Sequence, residues 1–235
     1  MANASQTLTR PKVDLPLTLE PPDPASQRVA EHFETVYREA AGDESRVPWQ
    51  DGRANPALVC WLNAEAPRLV RPGVRAVVVG CGLADDVAEL DTRGYDALGF
   101  DVSPTCVAWA RERHPALADR LLVADATRPP TNLRCRFELV VECNTIQSVP
   151  PEMRAKVVRG LVLLAKPHGV VLAVARSRPE GWPLDEVAGP PYPLTKTELV
   201  SLFEREGFTP VRTPDEFEDD ETPPVARLRC AFRRA

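Results

Sequence analysis

The sequence predicts an α/β fold, a mostly parallel sheet with helices on both faces. Three observations carry that prediction. Short apolar runs (RAVVVGCG, DALGFD, RLLVADAT, FELVVECNT and VVLAVARS) alternate with segments of helical spacing, and strands joined through helices pair in parallel. The first run ends in a glycine-rich turn, Gly80-Cys81-Gly82. The chain closes differently: FTPVRT and VARLRCAFRR are separated only by the loop FEDDETPP, which predicts a final antiparallel pair.

Taken in order, residues 1–26 are rich in Pro, Thr, Ser and Asp and are predicted to form a flexible arm. Residues 27–235 then form a single domain. Its first helix, near 26–41, places Val29, Phe33 and Val36 on one face with Tyr37 beside them, and is expected to cover the site. Pro56 opens a second helix through Trp61. After the first strand, ADDVAELDTRG reads as a helix stopped by Gly94. Ser103 and Pro104 cap and start the helix after DALGFD. PEMRAKVVRGLVLLAKPHG is a helix ending near Lys166-Pro167, and Thr195 caps TKTELVSLFEREG. The Pro/Gly-rich stretch 178–194 is too long for a tight turn and reads as a lid or pocket wall.

Composition narrows the function. A chain of 235 residues with 43% hydrophobic and 27% charged residues suits one soluble domain. A net charge of -5 gives no reason to expect nucleic acid or an anionic membrane as partner. No apolar run of about 18 residues or secretory pattern is seen. The six cysteines form no C-x-x-C pair, so reduced cytoplasmic thiols are expected. Zinc-type spacing is absent and no metal is expected. The Ala/Arg/Pro richness suggests a GC-rich bacterial gene.

The candidate site lies at the carboxyl ends of successive strands, where open α/β sheets bind ligands. Gly80 and Gly82 let backbone approach a ligand. A dinucleotide fingerprint needs a third glycine where this chain has Asp85, and two acidic residues at that helix start disfavour a phosphate. They tolerate a cofactor with a cationic amino-acid portion. Asp101 ends the second strand, 21 positions after Gly80, and a carboxylate there accepts hydrogen bonds from ribose hydroxyls. It serves a nicotinamide or an adenosyl cofactor equally. Asp125, after the third strand, is placed to accept from an adenine amino group.

VVVGCG, GFDVSP, VADAT and FELVVECNT resemble the ordered motifs of class I S-adenosylmethionine-dependent methyltransferases. VPWQDGRANPALVCWL, just upstream, is similar to the P-W-x-x-G-x-x-x-P signature of the thiopurine and thiol/halide S-methyltransferase branch. The resemblance implies a Rossmann-like, doubly wound sheet of seven strands, mostly parallel with the last strand antiparallel. It implies S-adenosylmethionine as cofactor. Trp49 would flank its methionine end, Gly80, Cys81 and Gly82 would line the amino acid, and Asp101 would hold the ribose with Val102 under the adenine. Asp125 and Ala126 would border the adenine, and Glu142 and Cys143 would lie near the sulfonium.

Transfer of a methyl group from a sulfonium is an in-line displacement, helped mainly by positioning and exclusion of water. The expected acceptor is a small molecule, with a thiol as the narrower expectation, since an anionic nucleophile needs no base. An oxygen or nitrogen acceptor stays open, and a nicotinamide-dependent oxidoreductase is the more distant alternative. Should a base be needed, Glu142 ends an apolar strand where burial raises its pKa. Tyr37, Trp182, Asp185 and Tyr192 are the candidate substrate contacts.

Overall fold

The computed structural model describes residues 23–184, 187 and 189–235. Of the expected arm, only residues 23–26 are described, and they belong to the first helix. Asp23 caps α1 (Pro24–Ala40), its carboxylate accepting from the N–H groups of Ala25 and Ser26 at 3.0 Å each. Two short helices follow, α2 (Pro56–Ala64) and α3 (Ala66–Leu69). Then come β1 (Arg75–Val79), α4 (Asp85–Thr92), β2 (Asp96–Asp101), α5 (Pro104–Arg113), β3 (Leu121–Val123) and β4 (Phe137–Cys143). The chain finishes with α6 (Arg154–Leu164), β5 (Ala165–Arg176), α7 (Lys196–Glu204), β6 (Phe208–Pro210), β7 (Asp215–Glu218) and β8 (Ala226–Arg234).

The sheet runs β3-β2-β1-β4-β5-β8-β6, with β7 also paired to β8. β1 to β5 are mutually parallel, and β8 runs antiparallel to β5. The mostly parallel doubly wound sheet with its reversed last strand is therefore present. The strand number differs: the described residues form eight strands where seven were expected. The extra one, β7, sits in the segment read as the start of a loop. It exists because β8 is nine residues long while β6 covers only Phe232–Arg234 of its outer edge. β7 satisfies the remaining edge from Ala226 to Arg229, which would otherwise be left unpaired.

One boundary also moves. α6 stops at Leu164, and Ala165 already pairs with Phe137. The register then shifts before Leu139 pairs with Val170, with His168 at φ 65° inside the irregular stretch. Pro167 cannot donate to a helix interior, so the segment read as the last helical turn is instead bulged strand.

Both faces of the sheet are buried. Val77, Phe100, Val140 and Val171 pack with α6 and α7 on one side. Val78, Leu139, Val141 and Leu172 pack with α2, α4 and α5 on the other. This is why the strands read as continuous apolar runs. Gly160 of α6 fits this packing closely: a Cβ there would lie 1.8 Å from the Ala126 carbonyl oxygen. Gly160→Ala is therefore expected to lower stability by about 1–3 kcal/mol, read as a lower urea midpoint with unchanged slope. An unchanged midpoint would contradict the packing.

Candidate active site

The first glycine turn is built by conformation and by contact. Gly80 and Gly82 adopt φ 65° and 52°, in the left-handed region. A Cβ on Gly80 would sit 2.3 Å from Oγ1 of Thr145, whose hydroxyl donates to the Val79 carbonyl at 2.9 Å. The glycine thus lets the β1 turn press against the β4 turn. Asp101 closes the other side. Its Oδ2 accepts from the Gly82 N–H at 3.1 Å and its Oδ1 from the Ser103 N–H at 3.0 Å. Each oxygen keeps a lone pair for a ligand hydroxyl. Burial pushes the Asp101 carboxyl up against the opposing pull of these N–H groups.

Asp125 organises the third turn, with Oδ1 accepting from both the Thr127 N–H and hydroxyl at 2.7 Å. The Thr127 hydroxyl also meets Ser26 of α1 at 3.1 Å. α1 is fixed again by Glu34, which accepts from Ser103 Oγ at 2.7 Å and Thr105 Oγ1 at 2.6 Å. Further along α1, the Tyr37 hydroxyl accepts from the Trp49 indole at 3.0 Å. α1 therefore walls the cavity across all three turns.

These walls enclose about 1810 Å³ of space open to solvent. That is well above the ~300–1,000 Å³ typical of a single small ligand, so two ligands fit side by side. Gly80, Cys81, Gly82, Asp101, Val102, Asp125, Ala126 and Cys143 all line it, as do Tyr37 and Trp49.

Comparison with known proteins agrees with this geometry. Residues 76–169 match a methyltransferase domain family. The chain is 28% identical over 179 residues to thiocyanate methyltransferase 1 of Arabidopsis thaliana, covering 74% of this chain and 73% of that protein. It is 25% identical to thiopurine S-methyltransferase of Vibrio vulnificus, over 74% of this chain and 82% of that one.

Residues 76–169 carry a methyltransferase domain, and the chain is similar to class I S-adenosylmethionine-dependent methyltransferases. It resembles the thiol and thiopurine branch. The fold also superposes on a Burkholderia thailandensis 1,6-didemethyltoxoflavin-N1-methyltransferase solved with S-adenosylhomocysteine. The TM-score there is 0.70 at 18% identity, over 92% of this chain and 93% of that one.

S-adenosylmethionine is the cofactor of this methyltransferase domain, and the residues present suit it. The turn at Gly80–Gly82 presents backbone, Asp101 keeps acceptor capacity for ribose, and the helix that follows starts with two acidic residues, Asp85 and Asp86. At the helix start where a dinucleotide fold needs its third glycine, Asp85 is instead held by Arg113 at 3.0 Å and by the Gln50 amide at 2.8 Å.

Several expected site residues stand elsewhere. Glu142 is completely buried and is not part of the cavity wall. It faces the α6 side of the sheet, where its Oε2 accepts from the N–H groups of Thr145 at 2.9 Å and Ile146 at 3.2 Å. Its role in this geometry is to hold the β4 turn. The parity of β4 explains this: Cys143, one residue on, points to the cavity instead. Trp182 is 49% exposed and does not line the cavity. Tyr192 also lies outside the lining. Its ring backs Gly189, whose Cβ would approach to 2.4 Å, so it supports the Gly189–Pro191 wall from behind. Asp185 lies outside the described residues.

The sequence reading missed Gln147 and Asp86. Gln147 is buried, its side chain accepts from the Arg176 N–H, and its carbonyl accepts from the Tyr192 N–H at 2.7 Å. It joins the β4 turn to the end of β5, and no local pattern marks it. Asp86 lines the cavity and accepts from the Asn55 N–H at 2.7 Å. Its place beside the glycine turn was visible, but its orientation was not.

Glu142 has a measurable signature. Burial raises its pKa from 4.5 to about 8. The folded chain then holds a proton that the unfolded chain has released, so its contribution is full below pH 4.5 and is lost as pH rises to about 8. Glu142→Gln should flatten stability across that window while retaining turnover. Loss of turnover in a folded Glu142→Gln protein would restore the base role.

Proposed function

We propose that the protein transfers a methyl group to a small thiol or similarly soft nucleophile. The observation that carries this is the state of the expected base, Glu142, and of the Tyr37 hydroxyl. Glu142 is outside the cavity wall, and Tyr37 is held protonated, its pKa raised by burial. An acceptor that arrives as its own anion needs neither. The thiol-directed relatives support the same reading.

The cofactor, when bound, supplies a methyl group activated on a sulfonium. The chain supplies position. We propose that Gly80, Cys81 and Gly82 line the amino acid, Asp101 takes the ribose hydroxyls, and Val102, Asp125 and Ala126 frame the adenine. Cys143 lies toward the reacting end. Trp49, 41% exposed, stands at the mouth edge-on to Phe33 and Tyr37, with ring centroids 5.4 and 6.0 Å apart. This aromatic corner is suited to hold the acceptor and exclude water. In-line transfer then draws on orientation, worth up to roughly 7–11 kcal/mol in well-aligned systems.

A small acceptor also fits the mouth's electrostatics. Several of its arginines are occupied: Arg53 by Asp220 at 2.7 Å, Arg212 by Glu65 at 2.6 Å and Arg227 by Asp219 at 2.6 Å. Such paired cations offer little to a phosphate backbone. Among the described residues no helix is long and apolar enough to cross a membrane. The six cysteines are unpaired, which supports a cytoplasmic setting.

The test is a methylation assay over matched thiols, phenols and amines. Thiols should be the preferred class, and across a thiol series the pH–rate profile should follow each acceptor's own pKa. Turnover of amines or phenols with none of thiols would contradict the proposal. So would a profile fixed by the protein whatever the acceptor.

A further inference from the structure

We propose that Asp86 binds the α-ammonium group of the cofactor's amino acid. The inference rests on the S-adenosylmethionine reading of the site. Asp86 lies in the first turn of α4, directly after the glycine turn, with its side chain on the cavity wall. From the segment before α2, the Asn55 N–H donates to its Oδ1 at 2.7 Å. From the end of β4, Cys143 stands beside it on the same cavity wall. The charged groups nearest on its own helix are Asp85 and Glu89, both anions.

Among the described residues, no lysine, arginine or histidine pairs with Asp86. Its neighbour Asp85 is different, being held by Arg113. Arg227 of β8 acts on Cys143, but its guanidinium is occupied by Asp219 and Glu221. Asp86 is thus a desolvated carboxylate on a ligand cavity, supplied with a neutral backbone donor and no cation. Burial raises its pKa to about 6, so it is an anion near neutral pH that lacks its counter-charge.

The cofactor brings two cations. The sulfonium has no hydrogen to donate, whereas an ammonium presents three N–H donors to a carboxylate. The position agrees, since Asp86 follows the turn that we assign to the amino-acid end. The same carboxylate repels the cofactor's own carboxylate and so fixes which way the amino acid faces.

Calorimetric titration with two probes tests this. S-adenosylhomocysteine keeps the ammonium and lacks the sulfonium charge. 5′-Methylthioadenosine lacks the amino acid altogether. Asp86→Asn should weaken S-adenosylhomocysteine by roughly 10- to 100-fold and leave 5′-methylthioadenosine unchanged, which also shows that the variant is folded. In the unmodified protein, S-adenosylhomocysteine affinity should fall as pH drops through about 6, and Asp86→Asn should lose that dependence. The 5′-methylthioadenosine titrations carry any pH effect that comes from Asp101. Equal weakening of both probes, or no weakening of either, would overturn the assignment of Asp86. Failure of the unmodified protein to bind either probe would overturn the cofactor reading itself.

Discussion

The site depends on one carboxylate shared between two turns. Asp101 accepts from Gly82 on one side and Ser103 on the other, and so ties the β1 turn to the start of α5. That tie adds to the Cys81 N–H, which donates to the Phe100 carbonyl at 3.0 Å, in holding the left-handed glycine turn. The remaining contacts extend from it. Ser103 and Thr105 receive Glu34 of α1, and Tyr37 of the same helix lies over Gly82, 3.7 Å from where its Cβ would be. The ligand cavity is therefore closed by a helix that its own floor holds in place.

Polar side chains around this cavity divide by what they do for the backbone. Glu142 and Gln147 are spent on it: the first holds the β4 turn, and the second joins that turn to β5. Asp125 orders its own loop and still reaches the wall. Asp86 differs in standing on the cavity wall, where a ligand can reach it. A buried acid is thus a poor guide to catalysis by itself, because desolvation raises the pKa of structural and functional carboxylates alike.

The fold was legible where periodicity and turn chemistry agreed. The buried parallel strands read as apolar runs, Ser103 and Thr195 cap α5 and α7 as expected, and the glycine turn sits at the end of β1. β7 was not legible, because DEFE is mostly charged and pairs only to cover an edge left open by a short β6. At the site, the glycines, Asp101 and Asp125 could be named because strand ends fix their location, and Trp49 because of the P-W-x-x-G-x-x-x-P likeness. That Glu142 lies outside the lining was not legible, because position along a strand does not reveal which face a side chain takes. That Trp182 and Tyr192 lie outside it was not legible either, because a proline-rich wall has no period from which to read direction.

The most direct test is a crystal structure with S-adenosylhomocysteine bound. The adenosine should lie between Asp101 and Asp125, its ribose hydroxyls on Asp101, with the amino acid along Gly80–Gly82. An adenosine bound away from Asp101, or a ligand reversed so that the adenine meets the glycine turn, would contradict this description of the site.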